Sequence, residues 1–217
     1  MIFPSDDHPK TALLLSAHTD DCEIGMGGTI ARLVEAGVAL RWLVLCNAWQ
    51  SLPDGFAKDT LLQEQRDAAR AFSIPDDNLQ IEDIPVRHFP QHRQTILELL
   101  VAEARAHPPD LVFCPSLQDR HQDHLTLAQE AQRAFKRTTL LGYHLPWNLT
   151  HSIQNAHVAI GPAHLARKLD AVACYKSQSS RQYFQRGAIE TMLNAAGLAS
   201  GHAMAEPFEV IRLHAPL

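Results

Sequence analysis

Apolar residues along the chain fall into short unbroken runs separated by longer stretches with helical spacing. Ala12-Leu13-Leu14-Leu15 predicts a buried strand ending near Ala17, residues 40–46, 111–114 and 139–143 predict three more, and 79–84 a weaker one. Between them, 28–36, 59–72, 95–106 and 124–135 place apolar residues three and four apart, the stripe of a helix with one buried face. The punctuation agrees: Gly37 suits the end of the first helix, Pro75 follows the second, Pro108-Pro109 stops the third, and Pro115 ends the run Leu111-Val112-Phe113-Cys114. Beyond 145 the pattern is less regular, with strand-like 158–160 and 208–211 and helix-like 163–175 and 189–196.

Strands alternating with helices of this length predict parallel βαβ units, and right-handed crossovers then put helices on both faces of the sheet. The expectation is an α/β, Rossmann-like, mostly parallel sheet in a single domain spanning 1–217. Its motif-bearing core covers about 11–145, followed by a less regular remainder at 146–217. A chain of 217 residues is long enough for one large core, and no repeat or long linker divides it.

Charge and composition narrow the partners. Nineteen basic against 24 acidic side chains give a formal charge of −5 with no Lys/Arg block, which argues against nucleic acid or an anionic membrane. No run approaches the roughly 18 apolar residues that cross a bilayer. Residues 1–10 hold two Asp, two Pro and no apolar stretch, so no signal peptide is expected there. Cys22, Cys46, Cys114 and Cys174 form no Cys-x-x-Cys pair, and three of them sit in or beside apolar runs, where a thiol acts as a small hydrophobe. A cytoplasmic protein is expected, and a homo-oligomeric assembly is compatible with the sequence.

Two polar clusters lie at predicted strand ends, where open parallel sheets bind ligands. Ser16-Ala17-His18-Thr19-Asp20-Asp21-Cys22-Glu23 follows the first strand, and Asp119-Arg120-His121-Gln122-Asp123-His124 follows the 111–114 strand. Imidazole, carboxylate and a second imidazole suit a catalytic zinc site, which needs three protein ligands and an open position for water. Such water has a pKa of roughly 7, so hydroxide is available at neutral pH. Two adjacent Asp on an extended backbone diverge, so one can be a ligand while the other stays free as a base. The same divergence turns Cys22 away from Asp21 into packing. The His121-x-x-His124 spacing puts both rings on one face if the segment opens a helix.

The run Gly25-Met26-Gly27-Gly28 after a strand invites a dinucleotide-binding reading. That fingerprint needs glycine where Ile30 stands, and the second strand ends in Cys46-Asn47 without a ribose-binding acid. Glycines for a tight turn and close helix–sheet contact are favoured instead.

His18-Thr19-Asp20-Asp21-Cys22-Glu23-Ile24-Gly25-Met26-Gly27-Gly28-Thr29 resembles the A-H-P-D-D-x-E-x-G-x-G-G-T motif of the LmbE-like (PIG-L) zinc N-deacetylase family, and His121-Gln122-Asp123-His124 resembles its H-x-D-H motif. Weaker similarity runs through Tyr143, Pro146-Trp147-Asn148, Tyr175-Lys176-Ser177-Gln178 and Ala205-Glu206-Pro207-Phe208. The resemblance implies one Zn2+ per chain held by His18, Asp21 and His124, although His/Asp/His ligation suits other divalent metals too. It implies Asp20 as the general base, a protonated His121 that stabilises the oxyanion or protonates the leaving amine, and Asp123 orienting a neighbouring histidine. The implied reaction removes an N-acetyl group from a small-molecule amino sugar, free or carried on a nucleotide or lipid. Another small amide or ester as substrate, or a metal- or sugar-binding module without turnover, are the alternatives; the acid/base pair Asp20 and His121 argues against the latter. Arg87, Tyr143, Asn148, Ser177 and Gln178 are candidates for touching substrate, each equally readable as structural. Thr19, Leu61, His144, Ala196 and Met204 depart from the family pattern, which bears on substrate identity and leaves the metal set intact.

Overall fold

The computed structural model describes residues 9–214, so the signal-peptide reading of the first eight residues lies outside it. Seven strands form one sheet: β1 (Thr11–His18), β2 (Ala39–Cys46), β3 (Leu79–Ile81), β4 (Leu111–Pro115), β5 (Thr139–Tyr143), β6 (Ala156–Ala159) and β7 (Ala205–Arg212). Their spatial order is β3-β2-β1-β4-β5-β7-β6. The five strands from β3 to β5 run parallel, whereas β7 pairs antiparallel with both β5 and β6. β1 and β4 are buried along nearly their whole length, which is why they read as continuous apolar runs and not as alternating ones.

Six helices cover the sheet: α1 (Asp21–Glu35), α2 (Thr60–Ala71), α3 (Arg93–Ala106), α4 (Gln122–Ala134), α5 (Pro162–Val172) and α6 (Arg186–Ser200). α5 packs on α1 and α2, and α3 packs on α4. Right-handed crossovers put these two groups on opposite faces. The α/β, mostly parallel architecture expected from the periodicity is therefore present. Boundaries differ by a few residues, and the largest difference is α1, which begins at Asp21, seven residues before the predicted start.

That early start has a physical cause. α1 is broken at Met26 (φ −150°, ψ 22°), which takes the carbonyl of Ile24 and the N–H groups of Gly28 and Thr29 out of regular helical bonding. Glu206 of β7 accepts from Gly28 N at 2.9 Å and Thr29 N at 2.6 Å, while Lys168 of α5 donates to the Ile24 carbonyl at 2.7 Å and to Glu206 at 2.6 Å. The break is thus capped by a fully buried ion pair at the N-terminus of the helix's second half, where a carboxylate is favoured. The glycines serve close packing: a Cβ on Gly25 would stand 2.6 Å from the Tyr143 ring, and one on Gly28 2.9 Å from Ile160.

Removing one member of a buried pair strands the other charge. Glu206→Ala should therefore destabilise the protein by about 3–5 kcal/mol in urea titrations. Glu190→Ala, which breaks the exposed Arg186–Glu190 pair, should cost under about 1 kcal/mol. Equal effects would show that the kink does not depend on Glu206.

Candidate active site and metal centre

A cleft of about 330 Å³ opens at the carboxyl ends of β1 and β4, where the strand order reverses. His18 is the last residue of β1, Asp20 precedes and Asp21 opens α1, His121 precedes α4 and His124 lies in its first turn; all five line the cleft. The two motifs therefore meet.

The donor atoms converge. His18 Nδ1 lies 3.0 Å from His124 Nε2, Asp21 Oδ1 lies 3.5 Å from His124 Nε2, and Asp21 Oδ2 lies 3.8 Å from His18 Nδ1. Ligands held about 2.0–2.1 Å from one tetrahedral zinc are about 3.3 Å apart, and the two spacings about His124 Nε2, 3.0 and 3.5 Å, lie on either side of that value. Each imidazole is oriented from behind by a buried carboxylate: His18 Nε2 by Asp123 at 2.9 Å, His124 Nδ1 by Asp119 at 2.8 Å. Those contacts put the ring protons on the far nitrogens and aim the lone pairs of Nδ1 and Nε2 at one point, the arrangement of a metal-binding histidine pair. Asp21 Oδ2 accepts from the His18 backbone N–H at 2.8 Å, which leaves Oδ1 free to bind.

The electrostatics favour a cation here. Burial alone favours a neutral ring at His124, yet the carboxylates of Asp21, Asp119 and Asp123 together raise it to about 9. Burial likewise opposes ionisation of Asp123, but hydrogen bonds from His18 and from the backbone N–H of Arg87 (2.5 Å) and Phe89 (3.2 Å) hold it below the usual carboxylate range. The residues present fit a divalent metal.

His121 is set apart from this pair by its hydrogen bonding. Its Nδ1 accepts from the Asp123 backbone N–H at 3.2 Å as the N-cap of α4, so the neutral ring carries its proton on Nε2. Burial first, then the neighbouring His124 and His18, push it down to about 4. These surroundings favour a neutral ring with an Nε2–H donor over the imidazolium expected from the sequence. Even so, His18, His121 and His124 each offer one nitrogen within 4.8 Å of the others, so position alone does not separate His121 from the ligands.

Asp20 and Asp21 differ in backbone conformation and in hydrogen bonding, and not by strand alternation. Asp20 sits in the left-handed region (φ 79°) and makes no side-chain capping bond, while Asp21 opens α1. Such a backbone costs on the order of 1–3 kcal/mol, less for Asp than for most residues. Burial, with Asp21 and Glu23 beside it, raises Asp20 well above the ordinary carboxylate value, which suits a group that must accept a proton. Cys22 is buried with its thiol directed to the Leu15 carbonyl at 3.8 Å, and burial keeps that thiol protonated.

Of the outer candidates, Arg87, Asn148 and Gln178 line the cleft. Tyr143 and Ser177 do not: the Tyr143 hydroxyl donates to the Leu15 carbonyl beneath α1, and Ser177 donates through N and Oγ to buried Glu64. Leu61, one of the departures from the family pattern, also faces the cleft. Sequence reasoning missed Asp119, Trp147, Arg181 and Tyr183. Trp147 and Tyr183 stack with ring centroids 4.0 Å apart, and the Arg181 guanidinium donates to the Tyr183 hydroxyl at 2.5 Å, forming one wall of the mouth. Asp119 carried a signal in its place two residues before the second motif, and Trp147 in the similarity at Pro146-Trp147-Asn148; Arg181 and Tyr183 carried none.

Comparisons with known proteins identify relatives in sequence and in fold. The family model PIG-L: GlcNAc-PI de-N-acetylase matches residues 13–135. The uncharacterized deacetylase YaiS of Escherichia coli (strain K12) is 25% identical over 181 residues, covering 81% of this chain and 96% of that protein. The structure of N,N'-diacetylchitobiose deacetylase from Pyrococcus horikoshii shares the fold at a TM-score of 0.76 and 19% identity, over 94% of this chain and 84% of that one. GalB, the 4-carboxy-2-hydroxymuconate hydratase of Pseudomonas putida KT2440, shares it at 0.74 and 21% identity, over 96% and 99% of the two chains.

Asp119 provides a test of the site that the motifs alone do not suggest. Asp119→Asn should weaken zinc affinity by roughly 10–100-fold in competition titrations against a chromophoric chelator, because it loosens the hold on His124. Cys22→Ala should leave that affinity within a few-fold. Unchanged binding in the Asp119 variant would contradict the orienting role.

Proposed function

Because the chain belongs to the PIG-L: GlcNAc-PI de-N-acetylase family, we propose that it is a metal-dependent hydrolase that removes an acetyl group from the nitrogen of an amino sugar. The observation that carries this reading is the meeting of His18 Nδ1, His124 Nε2 and the Asp21 carboxylate in the cleft, beside Asp20, whose carboxylate makes no capping bond. His18, Asp21 and His124 would hold the metal, zinc being the best match to the donor set. When bound, a divalent ion polarises the amide carbonyl and lowers the pKa of water.

The protein's own groups supply the proton chemistry. The Asp20 carboxylate accepts a proton from the water that attacks the amide carbon, and returns it to the departing nitrogen as the C–N bond breaks. The products are acetate and a free amine. The Nε2–H of His121 donates to the oxygen on which negative charge develops, and a neutral donor already in place needs no rearrangement to do so. Asp123 holds His18 and, through the N–H groups of Arg87 and Phe89, the loop that closes one side of the cleft.

The mouth suits a sugar. The stacked faces of Trp147 and Tyr183 offer an apolar wall for the C–H face of a pyranose ring, while Arg87, Asn148, Gln178 and Arg181 offer donors to hydroxyl or anionic substituents. The four free thiols support a reducing, cytoplasmic setting. Among the described residues no helix is long and apolar enough to cross a membrane.

Acetate release from N-acetylglucosamine, diacetylchitobiose and nucleotide-linked N-acetylglucosamine tests the proposal, with and without a chelator. Turnover of at least one, abolished by chelation and restored by zinc, is expected. Asp20→Asn should retain zinc and lose roughly 10²–10⁴ in kcat, the usual worth of a positioned base. Loss of metal in Asp20→Asn but not in Asp21→Asn would exchange the roles of the two aspartates.

A further inference from the structure

Asp20 holds an unusual backbone conformation, and its peptide is gripped on both sides. Its carbonyl accepts the first α1 hydrogen bond, from Ile24 N at 3.1 Å. Its N–H donates to the phenol oxygen of Tyr175 at 3.1 Å, 155 residues along the chain. Tyr175 is itself fully buried, and its O–H reaches two acceptors: Glu23 Oε1 at 2.6 Å and Gln65 Oε1 at 2.9 Å. Gln65 in turn donates to Glu23 Oε1 at 3.0 Å. Glu23 lies on α1, Gln65 on α2, and Tyr175 in the segment after α5, so three elements meet behind one peptide group.

We propose that Tyr175 is a positioning residue for Asp20: by accepting the Asp20 N–H it fixes the left-handed turn that holds the Asp20 carboxylate in the cleft. Without this acceptor, Asp20 is free to relax to the extended conformation usual at an N-cap and bond its side chain to the first helical N–H groups. The carboxylate would then cap α1 and leave the cleft. The inference rests on Asp20 being the base of the proposed deacetylation. Tyr175 also begins the stretch that carries Gln178, Arg181 and Tyr183, which Ser177 pins to Glu64. A purely structural Tyr175 would act through that stretch, on substrate binding, and the test separates the two.

Hydrogen exchange followed by NMR on protein without added metal reads the Asp20 amide directly. Slow exchange is expected in the natural chain, and fast exchange at Asp20 in Tyr175→Phe with β1 amides still protected. An Asp20 amide that exchanges freely in the natural chain overturns the proposal even if Tyr175→Phe does not fold. In kinetics, Tyr175→Phe should lower kcat by up to about 10²-fold, as misplacement of a reacting group does, with KM and zinc affinity within about threefold. In an Asp20→Asn background the same substitution should change kcat by less than about threefold. An equal loss in both backgrounds, or a loss confined to KM, overturns the positioning role. A full-activity Asp20→Asn protein would instead overturn the reading of Asp20 as base, a different failure.

Discussion

β1 and β4 lie side by side while the helices that follow them leave on opposite faces, and every distance in the cleft depends on that divergence. The crevice it opens is the only place where a residue at the end of β1 can meet one at the start of α4. His18 and His124 are far apart in sequence, yet the register Ala12↔Leu111 to Leu14↔Phe113 brings their nitrogens within 3.0 Å. Close packing on both covered faces fixes that register, since a slip of one residue would exchange side chains of different size between them.

Around this meeting point the structure spends buried carboxylates to control direction. Asp123 and Asp119 fix the tautomers of His18 and His124, Glu206 caps the break in α1, and Glu23 anchors Tyr175. Asp123, for one, is tolerated in the interior because it accepts from one imidazole and two backbone N–H groups. The Asp20-Asp21 pair divides two roles between neighbours: one oxygen of Asp21 is tied to its own loop and the other left for a cation, while Asp20 is set apart by its left-handed backbone.

Much of this was legible in the sequence. β1 and β4 are buried on both faces and so stand out as unbroken apolar runs, and the chemistry sits at their ends. The early start of α1 was not legible, because Gly25, Gly27 and Gly28 weaken a helix locally and the groups that rescue it, Lys168 and Glu206, come from the last third of the chain. The antiparallel insertion of β7 between β5 and β6 is likewise a long-range pairing that no local pattern marks. Tyr143 and Ser177 belong to segments near the cleft, but the direction of a side chain depends on partners, Leu15 and Glu64, that only the fold supplies. Arg181 and Tyr183 were missed for the same reason.

We propose that two imidazoles and one carboxylate, His18, His124 and Asp21, hold a single ion between β1 and α4. Anomalous diffraction at the zinc edge from crystals of the zinc-loaded protein tests it most directly. One peak is expected about 2.0–2.2 Å from His18 Nδ1, His124 Nε2 and an Asp21 oxygen, with His121 Nε2 beyond bonding distance. A peak bound by His121 in place of Asp21, or located outside the cleft, would contradict the account.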